Sequence, residues 1–94
     1  MADMLHELEQ IIRDRKQNPR ESSYTNRLLT EGAPRITQKV GEEATEVIVA
    51  ALAQGRDEQL GELSDLFYHT LVLMAHLDIS LADVEAVLRR RHSS

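Results

Sequence analysis

Apolar residues recur at three- and four-residue intervals along most of this chain, and β-branched runs are short. Leu, Ala, Glu and Arg dominate and both prolines lie before position 35, so the chain reads as nearly all helix. Leu5, Leu8, Ile11 and Ile12 set a first helix over about residues 3–17, which Asn18-Pro19 ends. The polar stretch 20–25 reads as loop, and a short helix over 25–31 is stopped by Gly32. Pro34 opens a third helix, since proline is tolerated in a first turn, and this helix runs to about Gln54 with Gly55 to end it. Asp57 is the expected N-cap of a fourth helix reaching about Leu77. Ser80 with Asp83 has the spacing of a capping box for a fifth, ending near Arg91. No internal repeat or low-complexity tract interrupts this order. The expectation is a single all-α domain over residues 1–94, with four to five helices in a bundle.

Drawn as wheels, the third and fourth helices carry the chemistry. On the third, Ile36, Val40, Ala44, Val47, Ile48 and Ala51 cluster on one side. Lys39, Glu42, Glu43 and Glu46 take the opposite arc, with Glu43 nearest the apolar border. Beyond Glu46 the helix is apolar almost all round, which predicts burial on several sides. On the fourth, Leu63, Leu66, Phe67, Thr70, Leu73, Met74 and Leu77 form a broad apolar side. A neighbouring stripe holds Glu62, Asp65, His69, Val72 and His76. Glu42, Glu43 and Glu46 read E-E-x-x-E, and Glu62 with Asp65 reads E-x-x-D. Each motif aims its carboxylates in one direction, and two such helices side by side make an acidic cage. Like charges this close repel unless cations lie between them, and all-oxygen ligands suit magnesium. The competing reading is a solvated acidic face with pairs such as Lys39–Glu43.

Two glycines adjoin the motifs. Gly41 and Gly61 each precede a motif acid, and mid-helix glycine costs about 1 kcal/mol relative to alanine. They read either as close backbone approach around the cage or as loosely constrained helix starts, the second being the better account of Gly61. His6 and His92 lie near the termini and are expected in solvent. His76 reads as a partly buried structural histidine. His69, one turn beyond Asp65, reads either as a hydrogen-bond partner of a metal-bound carboxylate or as a structural residue.

Composition narrows the partners. A chain of 94 residues makes one small domain with a marginal core, and oligomerisation would enlarge it. The third and fourth helices offer more apolar surface than one such bundle covers, so a homodimer is expected. With 11 basic and 16 acidic residues the net charge is −5, which argues against nucleic acid. Arg89, Arg90 and Arg91 complement a helix C-terminus. Without cysteine there are no disulfides and no thiolate metal sites. The N-terminus is charged from residue 3, and the apolar runs 47–53 and 71–75 are too short to span a bilayer. A cytoplasmic protein without membrane contact is the default. No Glu-x-x-His pair, H-E-x-x-H, Walker A loop or G-x-G-x-x-G is present.

The two acidic motifs together resemble those of the all-α nucleoside triphosphate pyrophosphohydrolases of the MazG-like superfamily. Ser23-Tyr24-Thr25, Leu28-Leu29, the block from Lys39 to Glu46 and the block from Glu62 to His69 narrow the likeness to the phosphoribosyl-ATP pyrophosphohydrolases, which act second in histidine biosynthesis. The segment from Leu77 to Val84 is similar to their last-helix entry, and the likeness spans about residues 23–88. Gly61 departs from it, standing where alanine or an acid is expected, but replaces no ligand. The likeness is to a stand-alone version, without the upstream domain that some members carry for the next step.

This resemblance implies magnesium-dependent cleavage of the α–β phosphoanhydride of phosphoribosyl-ATP to phosphoribosyl-AMP and pyrophosphate, by a helical homodimer in the cytoplasm. Glu43, Glu46, Glu62 and Asp65 are the expected magnesium ligands. Glu42 is either a further ligand or the group that orients or deprotonates the attacking water. Ser23, Tyr24, Thr25, Arg27 and Lys39 are the candidate substrate contacts. Tyr24 as packing, Thr25 as a helix cap and Arg27 as a surface charge are the competing readings. Two other functions remain open: a house-cleaning hydrolase of other triphosphates, and a non-catalytic helical dimerisation module.

Overall fold

Helix ends follow the capping chemistry of the chain. The computed structural model describes residues 3–93 and is all-α, with no strand among those residues. Asp3 caps α1 (Met4–Gln17) by accepting from the amides of Leu5 and His6. Ser23, not Thr25, caps α2 (Tyr24–Glu31), accepting from the Asn26 amide. Gly32 ends α2 and starts α3 (Ala33–Ala53) at φ 81°, a left-handed conformation that disfavours any side chain. Pro34 lies in the first turn of α3, as its missing N–H predicts. The helix α4 (Arg56–His76) begins at Gly55 without a side-chain cap. Asp57 is therefore not the N-cap; it sits inside the first turn, where its charge complements the helix dipole. Ser80 and Asp83 form the expected capping box of α5 (Leu81–His92).

The helices α3 and α4 make a tight antiparallel hairpin, the most extensive packing in the molecule. The Gln59 side chain locks its turn by donating to the Ala50 and Gln54 carbonyls at 3.1 Å each. Against this hairpin pack α1 and α2, and the core forms from Ile12 of α1, Leu28 of α2, Ile36 of α3 and Leu71, Val72 and Ala75 of α4. Asn26 is buried among them. It accepts from the Arg20 amide and donates to the Arg15 carbonyl, both at 2.6 Å, and so pins the loop between α1 and α2. No residue of α5 is buried. Leu81 packs against the edge of the core, and two polar contacts add to its hold: buried Glu9 accepts from the Leu81 amide at 2.7 Å, and His6 lies 3.3 Å from Glu85.

Two helix faces differ from expectation. On α3 the buried line is Ile36, Glu43 and Ala50. A spacing of seven is nearly two full turns, so Glu43 falls inside the seam with Ile36, not on an opposite arc. Ile48 and Ala51, expected inside, are exposed with Val49 and Leu52. On α4 the inner face is the mixed stripe of His69 and Val72, widened by Leu71 and Ala75. The broad apolar side is divided: Leu73 and Met74 pack against the core, while Leu63, Phe67 and Leu77 are exposed. Leu66, Thr70 and Met74 line an apolar groove of about 280 Å³ with Leu5 of α1 and Leu81 and Val84 of α5. At Gly41 and Gly61 an added Cβ would meet nothing within 4 Å, so neither serves a close backbone approach.

Candidate active site

The α3–α4 hairpin brings three of the five motif acids together. One carboxylate oxygen each from Glu43, Glu62 and Asp65 lies within 4.8 Å of the others. Glu43 is only 6 % exposed, Glu62 is half-buried and Asp65 is exposed. Glu43 Oε2 and Glu62 Oε2 are buried without any hydrogen-bond partner. A carboxylate oxygen removed from water and left unpaired is costly, and two of them beside a third acid add mutual repulsion. A cation between them removes both penalties, so the donor set fits a hard metal ion.

Glu42 and Glu46 lie outside this trio. Both are exposed on α3. Glu42 accepts from the Gln38 side-chain amide at 3.0 Å, and this bond holds its pKa below the ordinary glutamate value; slight burial opposes the shift and Lys39 assists it. Lys39 Nζ lies 3.5 Å from Glu42 and 3.4 Å from Glu43. Burial works against the Lys39 charge, but Tyr24, Glu43 and Glu42 outweigh it and raise its pKa. One ammonium facing the trio leaves most of its negative charge unbalanced.

Four of the five expected substrate contacts gather at the start of α2, and Lys39 lies on α3. Ser23 is committed to the helix cap. The Tyr24 hydroxyl lies 2.9 Å from His69 Nε2, and Thr25 Oγ1 is hydrogen-bonded to the Tyr68 hydroxyl. The Tyr24 and Tyr68 rings stack with centroids 6.2 Å apart, and the Arg27 guanidinium sits 5.5 Å from the Tyr24 centroid. Burial raises the Tyr68 pKa, with the Thr25 hydrogen bond opposing and Tyr24 assisting. The packing reading of Tyr24 therefore holds in part: its ring packs while 38 % of the residue stays exposed.

The histidines separate clearly. His69 is buried, and its Nδ1 lies 2.7 Å from the Asp65 carbonyl oxygen, so it bonds the main chain of Asp65 and not its carboxylate. His76 is partly buried, as expected, but makes no hydrogen bond among the described residues. His92 is exposed. His6 is not simply in solvent: its contact with Glu85 raises its pKa, against slight burial and with help from Asp3 and Glu9.

Three residues escaped sequence reasoning. Tyr68 lies inside the block from Glu62 to His69 with no expected role, and an aromatic beside a histidine is its only signal. Asn26 and Glu9 are polar positions on apolar helix stripes, a pattern that periodicity alone does not distinguish from surface.

No described helix is long and apolar enough to cross a membrane. A family model described as phosphoribosyl-ATP pyrophosphohydrolase matches residues 5–92. A phosphoribosyl-ATP pyrophosphatase of Sulfurisphaera tokodaii is 50 % identical over 90 residues, covering 96 % of each chain. Another, from Clostridium acetobutylicum, is 44 % identical over 90 residues, covering 96 % of this chain and 82 % of its own. The histidine biosynthesis bifunctional protein of Lactococcus lactis is 50 % identical over 91 residues, of which this chain spans 43 % of the length.

Proposed function

The chain belongs to the phosphoribosyl-ATP pyrophosphohydrolase family, and from that premise we infer that it hydrolyses the α–β phosphoanhydride of phosphoribosyl-ATP in histidine biosynthesis. The products are phosphoribosyl-AMP and pyrophosphate. The observation that carries this reading is the pair of orphaned carboxylate oxygens on Glu43 and Glu62 beside Asp65. A module that only dimerises has no use for two buried carboxylate oxygens left without partners.

Magnesium is the ion we assign to the acids. Glu43, Glu62 and Asp65 would hold it, with Glu46 joining from the next turn of α3. Bound there, it would offset the charge of the triphosphate and make a bound water more acidic. The chain's own groups supply the rest. Glu42, held in place by Gln38 and Lys39, orients the attacking water and accepts its proton. Lys39 reaches from between Glu42 and Glu43 to a phosphate oxygen. Tyr24, Thr25 and Arg27 contact the nucleoside side of the substrate from α2, and Ser23 holds the start of that helix. Cleavage in such a site rests on positioning and charge neutralisation.

We further propose that the chain acts as one domain, in the cytoplasm, as a homodimer. The outward faces of α3 and α4 support pairing: Leu52 is 83 % exposed and Phe67 49 % exposed, an arrangement that a second copy would cover. The deciding experiment is pyrophosphate release with magnesium from phosphoribosyl-ATP, dUTP, ATP and an oxidised deoxynucleotide. Preference for phosphoribosyl-ATP is expected. Preference for a deoxynucleotide would make it a house-cleaning hydrolase, and inactivity on all four would leave the dimerisation module.

A further inference from the structure

His69 is a buried side chain for which the proposed reaction has no use. Both of its ring nitrogens are engaged. The Asp65 carbonyl, 2.7 Å from Nδ1, can only accept, so Nδ1 carries the ring proton. In the neutral ring Nε2 then presents a lone pair, and the atom facing it, at 2.9 Å, is the Tyr24 hydroxyl oxygen. Tyrosine has one hydroxyl proton, and this geometry commits it to His69. The Tyr24 oxygen keeps only lone pairs for anything that reaches it from the exposed side.

Phosphate oxygens are acceptors and require donors. We propose that His69 fixes Tyr24 as a hydrogen-bond acceptor, so that Tyr24 reads an N–H or O–H of the nucleoside part of the substrate and does not anchor a phosphate. The anionic parts fall to Lys39, the cation beside the acids. The same chain of bonds ties the recognition helix to the metal helix: Tyr24 on α2 is set by His69, and His69 by the backbone of Asp65 on α4. His69 is thus a positioning residue acting through Tyr24. The proposal deepens the nucleotide-site reading and rests on it.

Calorimetry with magnesium present tests it, using adenosine, adenosine 5′-monophosphate and pyrophosphate as separate probes of the full chain. Tyr24→Phe should weaken adenosine and its monophosphate by the same factor, roughly three- to tenfold for one hydrogen bond. Pyrophosphate should stay within about twofold of the unmodified protein. His69→Phe should reproduce this pattern, and His69→Gln, which keeps an acceptor, should restore part of the loss. Should His69→Phe not fold, Tyr24→Phe and His69→Gln still decide. Weakened pyrophosphate binding in Tyr24→Phe, a loss on the monophosphate without a matching loss on adenosine, or no adenosine binding by the unmodified protein would overturn the proposal. If the unmodified protein fails to cleave phosphoribosyl-ATP while adenosine still separates Tyr24→Phe, the reaction assignment falls and this inference stands.

Discussion

The two faces of α4 invert the usual arrangement of a surface helix. Its inner face mixes Val72, Leu71 and Ala75 with buried His69 and the inward-reaching Glu62. Its outer face is apolar yet left partly open, with Leu63 exposed and Phe67 at the edge of the groove under α5. In a chain of this size apolar surface is scarce, and an outward apolar face is most simply explained by self-association. The inner face gives up burial to a charged cluster, which lowers stability in favour of chemistry. Under the proposed function the two faces would answer different requirements: assembly outside, reaction inside.

Neutralising the inner cluster should produce the largest effect. Glu62→Gln is expected to lower kcat/KM on phosphoribosyl-ATP by a factor on the order of 10² to 10³. In EDTA the same variant should melt higher than the unmodified protein, by about 4 °C or more, because one of three mutually repelling carboxylates is neutralised. Magnesium should reverse that order. Undiminished turnover would show that the inner face is not the reaction centre.

Substitutions on opposite sides of α4 come next. Val72→Ala should destabilise the fold by about 2 kcal/mol in denaturant titrations. Phe67→Asp should leave the stability of a single chain within about 0.5 kcal/mol and convert a dimer to a monomer by light scattering. A dimer that survives Phe67→Asp would place the interface elsewhere and break the division of faces.

The glycines flanking the acids sharpen the picture at smaller scale. With open space around both Cβ positions, Gly41→Ala and Gly61→Ala should each raise stability by about 1 kcal/mol. A loss at either position in the assembled protein, with a gain in a monomeric variant, would mark that glycine as lying under a partner copy.

The smallest effect concerns the attachment of α5. Glu85 raises the folded-state pKa of His6 above its ordinary 6.5. The stabilising contact is therefore complete below the unfolded pKa and is lost as pH rises through the raised folded value. Histidine-ring NMR should show His6 titrating above its ordinary 6.5 and returning toward it in Glu85→Gln, and His6→Ala should abolish the pH dependence of amide protection at the start of α5. A His6 titration unchanged by Glu85→Gln would remove this contact from the account of α5.

Five helices and most of their ends were legible in the chain, because capping and periodicity are local. Ser80 and Asp83 bond within one turn, Pro34 needs only a first turn, and Gly32 needs only its missing Cβ. The acids could be named for the same reason, since E-E-x-x-E and E-x-x-D keep their spacing on any helix. Faces were another matter. Glu43 and Ile36 share the buried line of α3 because α4 packs there, and the choice between two partly apolar sides depends on partners far away in sequence. The clustering of Glu43, Glu62 and Asp65 without Glu46, the Tyr24–His69 bond and the docking of α5 through Glu9 all join residues on different helices. Such contacts exist only once the helices have packed, and no local pattern encodes which oxygen will be left without a partner.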